Sequence, residues 1–242
     1  MYMNIFKPIK INHHVYQIRV IGCRITLIIN DNCICLVDIG YPGSYRFIKN
    51  GIKALGLSIS DINSIVLTHY HPDHIGDIKS VLEDVTPQIF AHKDEIPFIA
   101  GLVPAVKASN NQAIQLLYKK TKSYLTMPDL MNRISPVTEG DVIPFPYRIN
   151  TVHLPGHTKG SIGLFLPDNR TVIVGDSLTH KFGRQLGFAS SLYSDDMKLV
   201  KQSALKLSDL DIDKIVFSHY PPITKNAKAK IKTLVTNDKE RT

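Results

Sequence analysis

The segment His69 to His74, which reads HYHPDH, places three histidines and one aspartate within six residues. Neutral imidazole nitrogens and carboxylate oxygens are the usual protein ligands of zinc and of related divalent ions. The segment directly follows Ser64 to Leu67, an apolar run that is typical of a β-strand. Because a strand end followed by a turn can direct several side chains to one point, this segment predicts part of a metal site.

Three more candidate ligands follow, and each lies just past or between runs that are typical of strands. They are His157, Asp176 and His219. A sheet that presents such groups on its loops is the expected arrangement for an enzyme with a cleft. Together with the first cluster, the set contains five imidazoles and two carboxylates. One ion could not accommodate so many protein ligands, so the residue types favour two divalent ions.

This order of residues closely resembles the metallo-β-lactamase superfamily of hydrolases, whose dinuclear members carry HxHxDH followed by His, Asp and His. The match spans nearly the whole chain, from the strand end at Asp38 to Gly40 as far as His219. The resemblance implies an α/β fold of the α+β type, a four-layer αββα sandwich with the metals at the shared edge of its two sheets. It also implies that Asp38 supports the site without binding metal directly.

The same resemblance implies a role for each ligand, with zinc as the favoured metal. The ligands of the first ion would be His69, His71 and His157. The ligands of the second ion would be Asp73, His74 and His219, and Asp176 would bridge both ions. A hydroxide between the two ions would attack the substrate. Asp73 would in addition orient that hydroxide or move a proton.

Differences between branches of the superfamily narrow the expected substrate. Zinc β-lactamases generally have no aspartate that bridges the metals, so Asp176 disfavours them. The chain instead resembles glyoxalase II-like proteins and the lactonase and esterase branch, which includes N-acyl homoserine lactonases. Those lactonases carry a substrate-binding tyrosine shortly after the bridging aspartate, whereas this chain has Ser177 to His180 there. Tyr220 is a candidate substitute donor, with packing as its other interpretation. We expect hydrolysis of a lactone, ester or thioester.

Two other functions stay open. A metal-dependent phosphodiesterase or nuclease would also suit a dinuclear site, and 29 Lys and Arg against 21 Asp and Glu give a net charge of +8. The basic residues are scattered, however, and we interpret the dense stretch Lys225 to Lys232 as a solvated terminal helix. We therefore expect a small-molecule carbonyl substrate and no nucleic acid. A non-catalytic binding module stabilised by metal is the second alternative.

The remaining histidines are interpreted as structural: His13, His14, His92, His153 and His180. For His180, four residues past Asp176, the alternative is a place in the pocket wall. The three cysteines lie near the N-terminus, and their odd number without a CxxC pair argues against disulfides and against a cysteine metal site. We expect them to be small apolar strand residues.

The chain has 242 residues, of which 43% are hydrophobic, and no Gly/Ser-rich or Pro-rich linker divides it. Periodicity predicts strands at 14–20, 25–29, 33–38, 64–67, 88–91, 149–154, 162–166, 171–174 and 214–217. It predicts helices at 44–55, 75–81 and 195–207. We expect a single domain over 1–242, with a lid or pocket insertion at 96–134. No apolar run reaches the roughly 18 residues of a membrane span, so we expect a cytoplasmic protein, with a homodimer as one option.

Overall fold

The computed structural model describes residues 7–103, 127–181 and 185–240. Its strands, numbered in chain order, are β1 (Ile9–Lys10), β2 (Val15–Arg19), β3 (Arg24–Asn30), β4 (Cys33–Val37), β5 (Ile62–Leu67), β6 (Gln88–His92), β7 (Ile134–Val137), β8 (Asn150–His153), β9 (Ile162–Leu166), β10 (Thr171–Ile173), β11 (Leu178–Lys181), β12 (Gln185–Phe188) and β13 (Lys214–Val216). Its α-helices are Tyr45–Ala54, Pro72–Ile75, Ile78–Asp84, Ile96–Ile99, Met197–Asp209 and Ala227–Lys239.

The strands form two sheets and a separate hairpin. The first sheet has seven strands in the order β1-β2-β3-β4-β5-β6-β7, antiparallel as far as β4 and parallel from there on. The second has four strands in the order β13-β10-β9-β8, in which β10 and β13 run parallel and the other pairs run antiparallel. Strands β11 and β12 pair with each other.

Alternating side chains along the strands build three apolar layers. In β5, Ile65 and Leu67 pack with the helices outside the first sheet, whereas Val66 packs between the sheets. In β10, Ile173 joins the layer between the sheets and Val172 packs with the helices outside the second sheet. This is the period-two alternation of strands that are buried on both faces. The expected four-layer αββα sandwich is confirmed.

One edge of the sandwich carries all the candidate ligands. Strands β5, β8, β10 and β13 end shortly before them, at the loops that hold His69, His157, Asp176 and His219. The two sheets are joined there by a hydrogen bond of 3.0 Å from the Ile162 backbone N–H to the Thr68 carbonyl. The sheet topology therefore gathers four segments that are far apart in sequence.

The helix predicted over 75–81 is correct over 78–81 but is interrupted before that. The structure instead has two short helices, Pro72–Ile75 and Ile78–Asp84, that are separated at Gly76 and Asp77. The Asp77 backbone N–H donates to the Gly40 carbonyl, and its carboxylate accepts from the Tyr45 backbone N–H at 2.6 Å. These tertiary bonds fix the turn between the helices, and hydrophobic periodicity carries no information about them.

Strands β1, β7, β11 and β12 have no counterpart among the predicted elements, because they are short and partly polar or exposed. The other predicted elements are present with shifted ends. The basic stretch that begins at Lys225 enters the helix Ala227–Lys239, whose Ala227 and Ile231 are buried while Lys230 and Lys232 are exposed. The predicted terminal helix is therefore confirmed.

The predicted insertion at 96–134 falls in part outside the described residues, which omit 104–126. Its described ends pack in the core: Ile96, Ile99 and Leu130 are buried against the first sheet. The role as a lid or pocket wall stays a prediction. None of the described helices is both long and apolar enough to cross a bilayer.

Leu207 and Leu205 provide a matched test of the outermost apolar layer. Leu207 is fully buried, whereas Leu205, on the same helix, is 42% exposed. Leu207→Ala should lower the free energy of unfolding by about 2–5 kcal/mol, because it leaves a cavity in the core. Leu205→Ala should change it by less than about 0.5 kcal/mol. Urea denaturation followed by circular dichroism measures both values, and equal losses would contradict the layer assignment.

Candidate metal centre

The first group of candidate ligands is His69, His71 and His157, and all three side chains are buried. Nε2 of His157 lies 3.2 Å from Nε2 of His69 and 3.0 Å from Nδ1 of His71. The loop that follows β5 supplies two of these nitrogens, and the loop that follows β8 supplies the third. Three imidazole nitrogens that converge in this way form an arrangement that zinc accepts.

The second group is Asp73, His74, Asp176 and His219. Nε2 of His219 lies 3.1 Å from Oδ2 of Asp73 and 3.2 Å from Oδ2 of Asp176. Nε2 of His74 lies 3.6 Å from Oδ2 of Asp73 and 3.6 Å from Oδ1 of Asp176. Two imidazoles and two carboxylates therefore face one another beside the first group.

Asp176 lies between the two groups. Its Oδ2 atom is 3.6 Å from Nε2 of His157, which belongs to the first group, as well as close to His219 of the second. Gly175, the residue before it, has a φ of +53°, and a Cβ there would lie 3.1 Å from Oγ1 of Thr68. The turn after β10 therefore packs closely against the end of β5, where Thr68 directly precedes His69.

Asp38 orients two of the ligands from behind. Its Oδ2 atom accepts a hydrogen bond from Nδ1 of His74 at 2.7 Å and another from the Thr68 hydroxyl at 2.8 Å. Because that hydroxyl donates to Asp38, it accepts from Nδ1 of His69, which lies 3.0 Å away. Both imidazoles are therefore held with Nδ1–H toward these oxygens and with Nε2 toward the site, which is the orientation of a metal ligand. Asp38 thus acts on the site through His74 and Thr68.

Loop atoms orient two further imidazoles in the same way. Oγ of Ser194 donates to the Ser190 carbonyl at 2.7 Å, so it accepts from Nδ1 of His157 at 3.3 Å. The Gly22 carbonyl accepts from Nδ1 of His219 at 3.0 Å. Each imidazole again turns Nε2 toward the site, which is the tautomer that a metal ligand needs.

The first group is electrostatically suited to hold neutral imidazoles. Burial and the neighbouring His157 lower the pKa of His71 to about 3. Burial, followed by the nearby His74 and His71, holds the pKa of His69 well below its usual range. The pKa of His157 is lowered as well, chiefly by burial. These nitrogens therefore keep their lone pairs at neutral pH.

The second group behaves in the opposite way. Burial lowers the pKa of His219, but the carboxylates of Asp176 and Asp73 outweigh it and raise the pKa to about 10. The pKa of His74 is raised well above its usual range against the same burial effect, by Asp38, Asp176 and Asp73. Burial favours a higher pKa for Asp73, but His74 and His219 bring it down to about 2.

The donor set fits divalent cations. Nε2 of His74 and Oδ1 of Asp176 are buried and have no hydrogen-bond partner among the described residues. Buried polar atoms are normally paired, because an unpaired one loses the hydration it has in the unfolded chain. A cation within each group would satisfy these atoms and would also relieve the repulsion between the facing Nε2 lone pairs of His69 and His157. The structure therefore brings all seven predicted ligands together.

A cavity of about 560 Å³ opens onto both groups. Its wall includes three tyrosines and one lysine: Tyr41, Tyr193, Tyr220 and Lys181. His180 is not in this wall, because its Nδ1 contacts the Pro221 carbonyl at 2.8 Å and its ring stacks on Phe217. The five histidines interpreted as structural lie outside both ligand groups: His13, His14, His92, His153 and His180.

Several residues that support the site have no signal in the sequence motif. Gly22 contributes a backbone carbonyl and Ser194 a hydroxyl, and neither residue type is distinctive. Glu95 is fully buried and touches two ligand loops, and burial raises its pKa to about 7 against the effect of its hydrogen bonds. A charged residue directly before the apolar run Ile96 to Ile99 is the one sequence feature that could have indicated it.

Comparison with known proteins agrees with this geometry. The family model described as the metallo-beta-lactamase superfamily matches residues 18–219. The chain belongs to the metallo-beta-lactamase superfamily. Among its superfamily relatives, it is 27% identical over 200 residues to the probable metallo-hydrolase YflN of Bacillus subtilis, across 78% of this chain and 76% of the relative. It is 24% identical to the hydroxyacylglutathione hydrolase GloC of Haemophilus influenzae, across 68% of this chain and 71% of that one.

Solved structures of the superfamily share the fold. TTHA1429, a metallo-beta-lactamase family protein from Thermus thermophilus, has a TM-score of 0.71 at 21% identity, covering 96% of this chain and 81% of that one. BJP-1, a subclass B3 metallo-beta-lactamase of Bradyrhizobium japonicum, has a TM-score of 0.70 at 19% identity, covering 100% and 95%. The family and the fold are therefore those of metal-dependent hydrolases.

The opposite pKa shifts of the two groups predict that their ions bind with different proton release. Imidazoles of the first group are neutral at pH 7.5 and need lose no proton. His74 and His219 have raised pKa values, so both are protonated at this pH and must deprotonate to bind an ion. The second ion should therefore release about two more protons than the first, and its affinity should fall more steeply as the pH falls.

Isothermal titration calorimetry of the chelator-treated protein with zinc, in buffers of different ionisation enthalpy, measures the number of protons released at each step. A His219→Ala variant should lose about one of these two extra protons, because His74 still has to deprotonate. Equal proton release for both ions would contradict the prediction that the carboxylates of Asp73 and Asp176 keep His74 and His219 protonated before the ion binds.

Proposed function

We propose that the protein is a zinc-dependent hydrolase that binds two ions and cleaves the carbonyl bond of a lactone, ester or thioester. The observation that carries this proposal is the position of Asp176, whose carboxylate lies within 3.6 Å of imidazole nitrogens of both ligand groups. A carboxylate that faces two sets of ligands is suited to bridge two ions. In this proposal His69, His71 and His157 hold the first ion, and Asp73, His74 and His219 hold the second.

Two zinc ions bound there would supply an activated water and a Lewis acid for the substrate oxygen. The chain supplies orientation and proton acceptance. Asp73 faces the cavity, and its pKa of about 2 keeps it ionised at neutral pH. An ionised carboxylate at this place can accept a hydrogen bond from the attacking water and fix its direction, in addition to holding the second ion.

Tyr220 is proposed to bind the substrate oxygen. It lies in the cavity wall directly after His219, and burial together with Asp176 raises its pKa, so its phenol stays protonated and can donate. Tyr193 lies in the same wall but is 46% exposed, which suits the cavity mouth and contact with the remainder of a substrate. Aromatic walls with a few polar groups are typical of pockets for small molecules.

Carbonyl chemistry is favoured over phosphodiester chemistry by one of the relatives. GloC is named as a hydrolase of hydroxyacylglutathione, which carries an acyl group, and it is similar over 165 residues of this chain. The net charge of +8 and Lys181 in the cavity wall favour an anionic substrate. A phosphodiester is therefore included among the substrates to be assayed.

A pair of histidine variants tests the proposed activity. The wild-type protein should retain about two zinc ions per chain and hydrolyse a γ-lactone, an ester or an acyl thioester from a small panel. His71→Ala removes a proposed ligand and should lower kcat/KM by about 100-fold or more, because even residues that only orient metal ligands are worth 10- to 100-fold in affinity or activity. His13→Ala removes an exposed imidazole outside both groups and should leave kcat/KM unchanged.

Metal analysis after reconstitution and parallel assays that include bis(4-nitrophenyl) phosphate measure these outcomes. Less than one zinc ion per wild-type chain, together with a His71→Ala variant as active as wild type, would refute the proposal. Strong phosphodiester hydrolysis without carbonyl hydrolysis would favour the phosphodiesterase alternative.

A tyrosine pair tests the proposed substrate contact. Tyr220→Phe removes one hydroxyl and should lower kcat/KM for the preferred carbonyl substrate by about tenfold, which corresponds to roughly one hydrogen bond of 1.4 kcal/mol. Zinc content should not change, since Tyr220 is not a proposed ligand. Tyr193→Phe, which alters the more exposed ring, should change kcat/KM by less than about threefold. Steady-state kinetics decides between the two, and a larger loss in Tyr193→Phe would move the proposed contact to that residue.

A further inference from the structure

Glu95 is a fully buried carboxylate whose oxygens are all used in hydrogen bonds. Oε2 accepts from the backbone N–H of Tyr70 at 2.8 Å. Oε1 accepts from the backbone N–H of Gly160 at 2.7 Å and from the hydroxyl of Thr158 at 2.9 Å. A buried charge is costly unless it is paired or receives several hydrogen bonds, and this one receives three.

Each of these partners belongs to a loop that carries ligands of the first group. Tyr70 lies between His69 and His71, and its backbone N–H belongs to the peptide that directly follows His69. Thr158 directly follows His157 in the other loop. One carboxylate therefore ties together the two loops whose imidazole nitrogens converge at 3.0 and 3.2 Å.

The second loop is shaped to receive this carboxylate. A Cβ at Gly160 would lie 2.8 Å from Oε1 of Glu95, so a larger residue there would force the two apart. The Ser161 hydroxyl lies 2.8 Å from Oγ1 of Thr158, and Oγ of Ser161 accepts from the Thr158 backbone N–H at 3.0 Å. Because the Thr158 hydroxyl donates to Glu95, it accepts from the Ser161 hydroxyl. The two hydroxyls therefore form a chain of hydrogen bonds in which Ser161 donates to Thr158 and Thr158 donates to Glu95.

We propose that Glu95 is a positioning residue for the first ion, holding the loop of His69 and His71 and the loop of His157 at the separation that the ion requires. This inference rests on the proposed function, because it assigns Glu95 to the metal chemistry of that site. Glu95 touches neither the ion nor the substrate and acts through Tyr70, Thr158 and Gly160. Outer residues that orient metal ligands typically change metal affinity by 10- to 100-fold when they are replaced.

The chemistry of the three donors requires a carboxylate at this position. A glutamine has nearly the same shape, but its amide group offers one oxygen and one donating NH2. If the oxygen faces Thr158 and Gly160, the NH2 meets the Tyr70 N–H; if it is turned round, the NH2 meets the Gly160 N–H. Glu95→Gln therefore loses at least one backbone hydrogen bond, to Tyr70 or to Gly160, in either orientation.

Asp77 provides a matched control. It is also buried, and its carboxylate also accepts from one backbone N–H and one hydroxyl, those of Tyr45 at 2.6 Å and Ser80 at 2.8 Å. Those partners lie on the helices Tyr45–Ala54 and Ile78–Asp84, outside the loops of the first group. Asp77→Asn therefore reproduces the loss of a buried carboxylate without changing the connection between these loops.

The test is a zinc competition titration of full-length protein with a chromophoric chelator. Wild type, Glu95→Gln and Asp77→Asn are compared, and the step that His157→Ala removes is assigned to the first ion. Glu95→Gln should weaken that step by 10- to 100-fold and the other step by less than threefold. Asp77→Asn should leave the first step within about twofold of wild type, although both variants should lower the unfolding midpoint of the zinc-free protein.

If Glu95→Gln does not fold, Thr158→Val takes its place, because it removes one of the three hydrogen bonds and leaves the charge. It should weaken the first step by about three- to tenfold. Suppose that the wild-type protein binds zinc in two steps. If Glu95→Gln or Thr158→Val then binds zinc as tightly as wild type, the positioning role of Glu95 is wrong, but the proposed function is not affected. Equal losses in Asp77→Asn overturn the positioning role too, and a wild-type protein that binds no zinc overturns the proposed function together with it.

Discussion

The convergence of imidazole lone pairs in a buried place is the constraint that organises this molecule. Nε2 of His157 approaches Nε2 of His69 and Nδ1 of His71 to 3.2 and 3.0 Å, with their pKa values lowered by burial. His69 and His157 face one another with their Nε2 lone pairs, which repel unless a cation lies between them. Beside them, the carboxylates of Asp73 and Asp176 offset the repulsion of a second pair of imidazoles. Two ionised carboxylates therefore lie where a second cation would bind.

The surrounding structure holds these groups in place by hydrogen bonds. Hydrogen bonds to Asp38, Thr68, Ser194 and the Gly22 carbonyl fix the outer nitrogen of four imidazoles, so that the inner nitrogen is presented to the site. These partners come from opposite ends of the chain, and the two packed sheets bring their loops to one edge. The αββα sandwich therefore serves the site as a rigid frame, in which neither sheet alone carries a complete set of ligands.

Local chemistry in the sequence predicts the ligands and most of the strands, but not the contacts that orient them. The HYHPDH segment is dense enough to indicate a metal site by itself, and the strands buried on both faces have apolar runs. The break at Gly76 and Asp77, by contrast, depends on partners more than thirty residues away. Glu95 presents the same difficulty, since it pairs with positions 70 and 158 that only the fold brings near. Tertiary hydrogen bonds of this kind leave no periodic trace.

Membership of the metallo-beta-lactamase superfamily establishes a hydrolase fold, and the place of Asp176 between both ligand groups is the observation from which we propose a two-ion centre. Anomalous diffraction at the zinc edge from crystals of the zinc-loaded protein tests this most directly. A two-ion centre should give two anomalous peaks about 3.5–4 Å apart, the usual spacing of two-metal sites, with the Asp176 carboxylate between them. A single peak, or two peaks with Asp176 turned away from both, would contradict it.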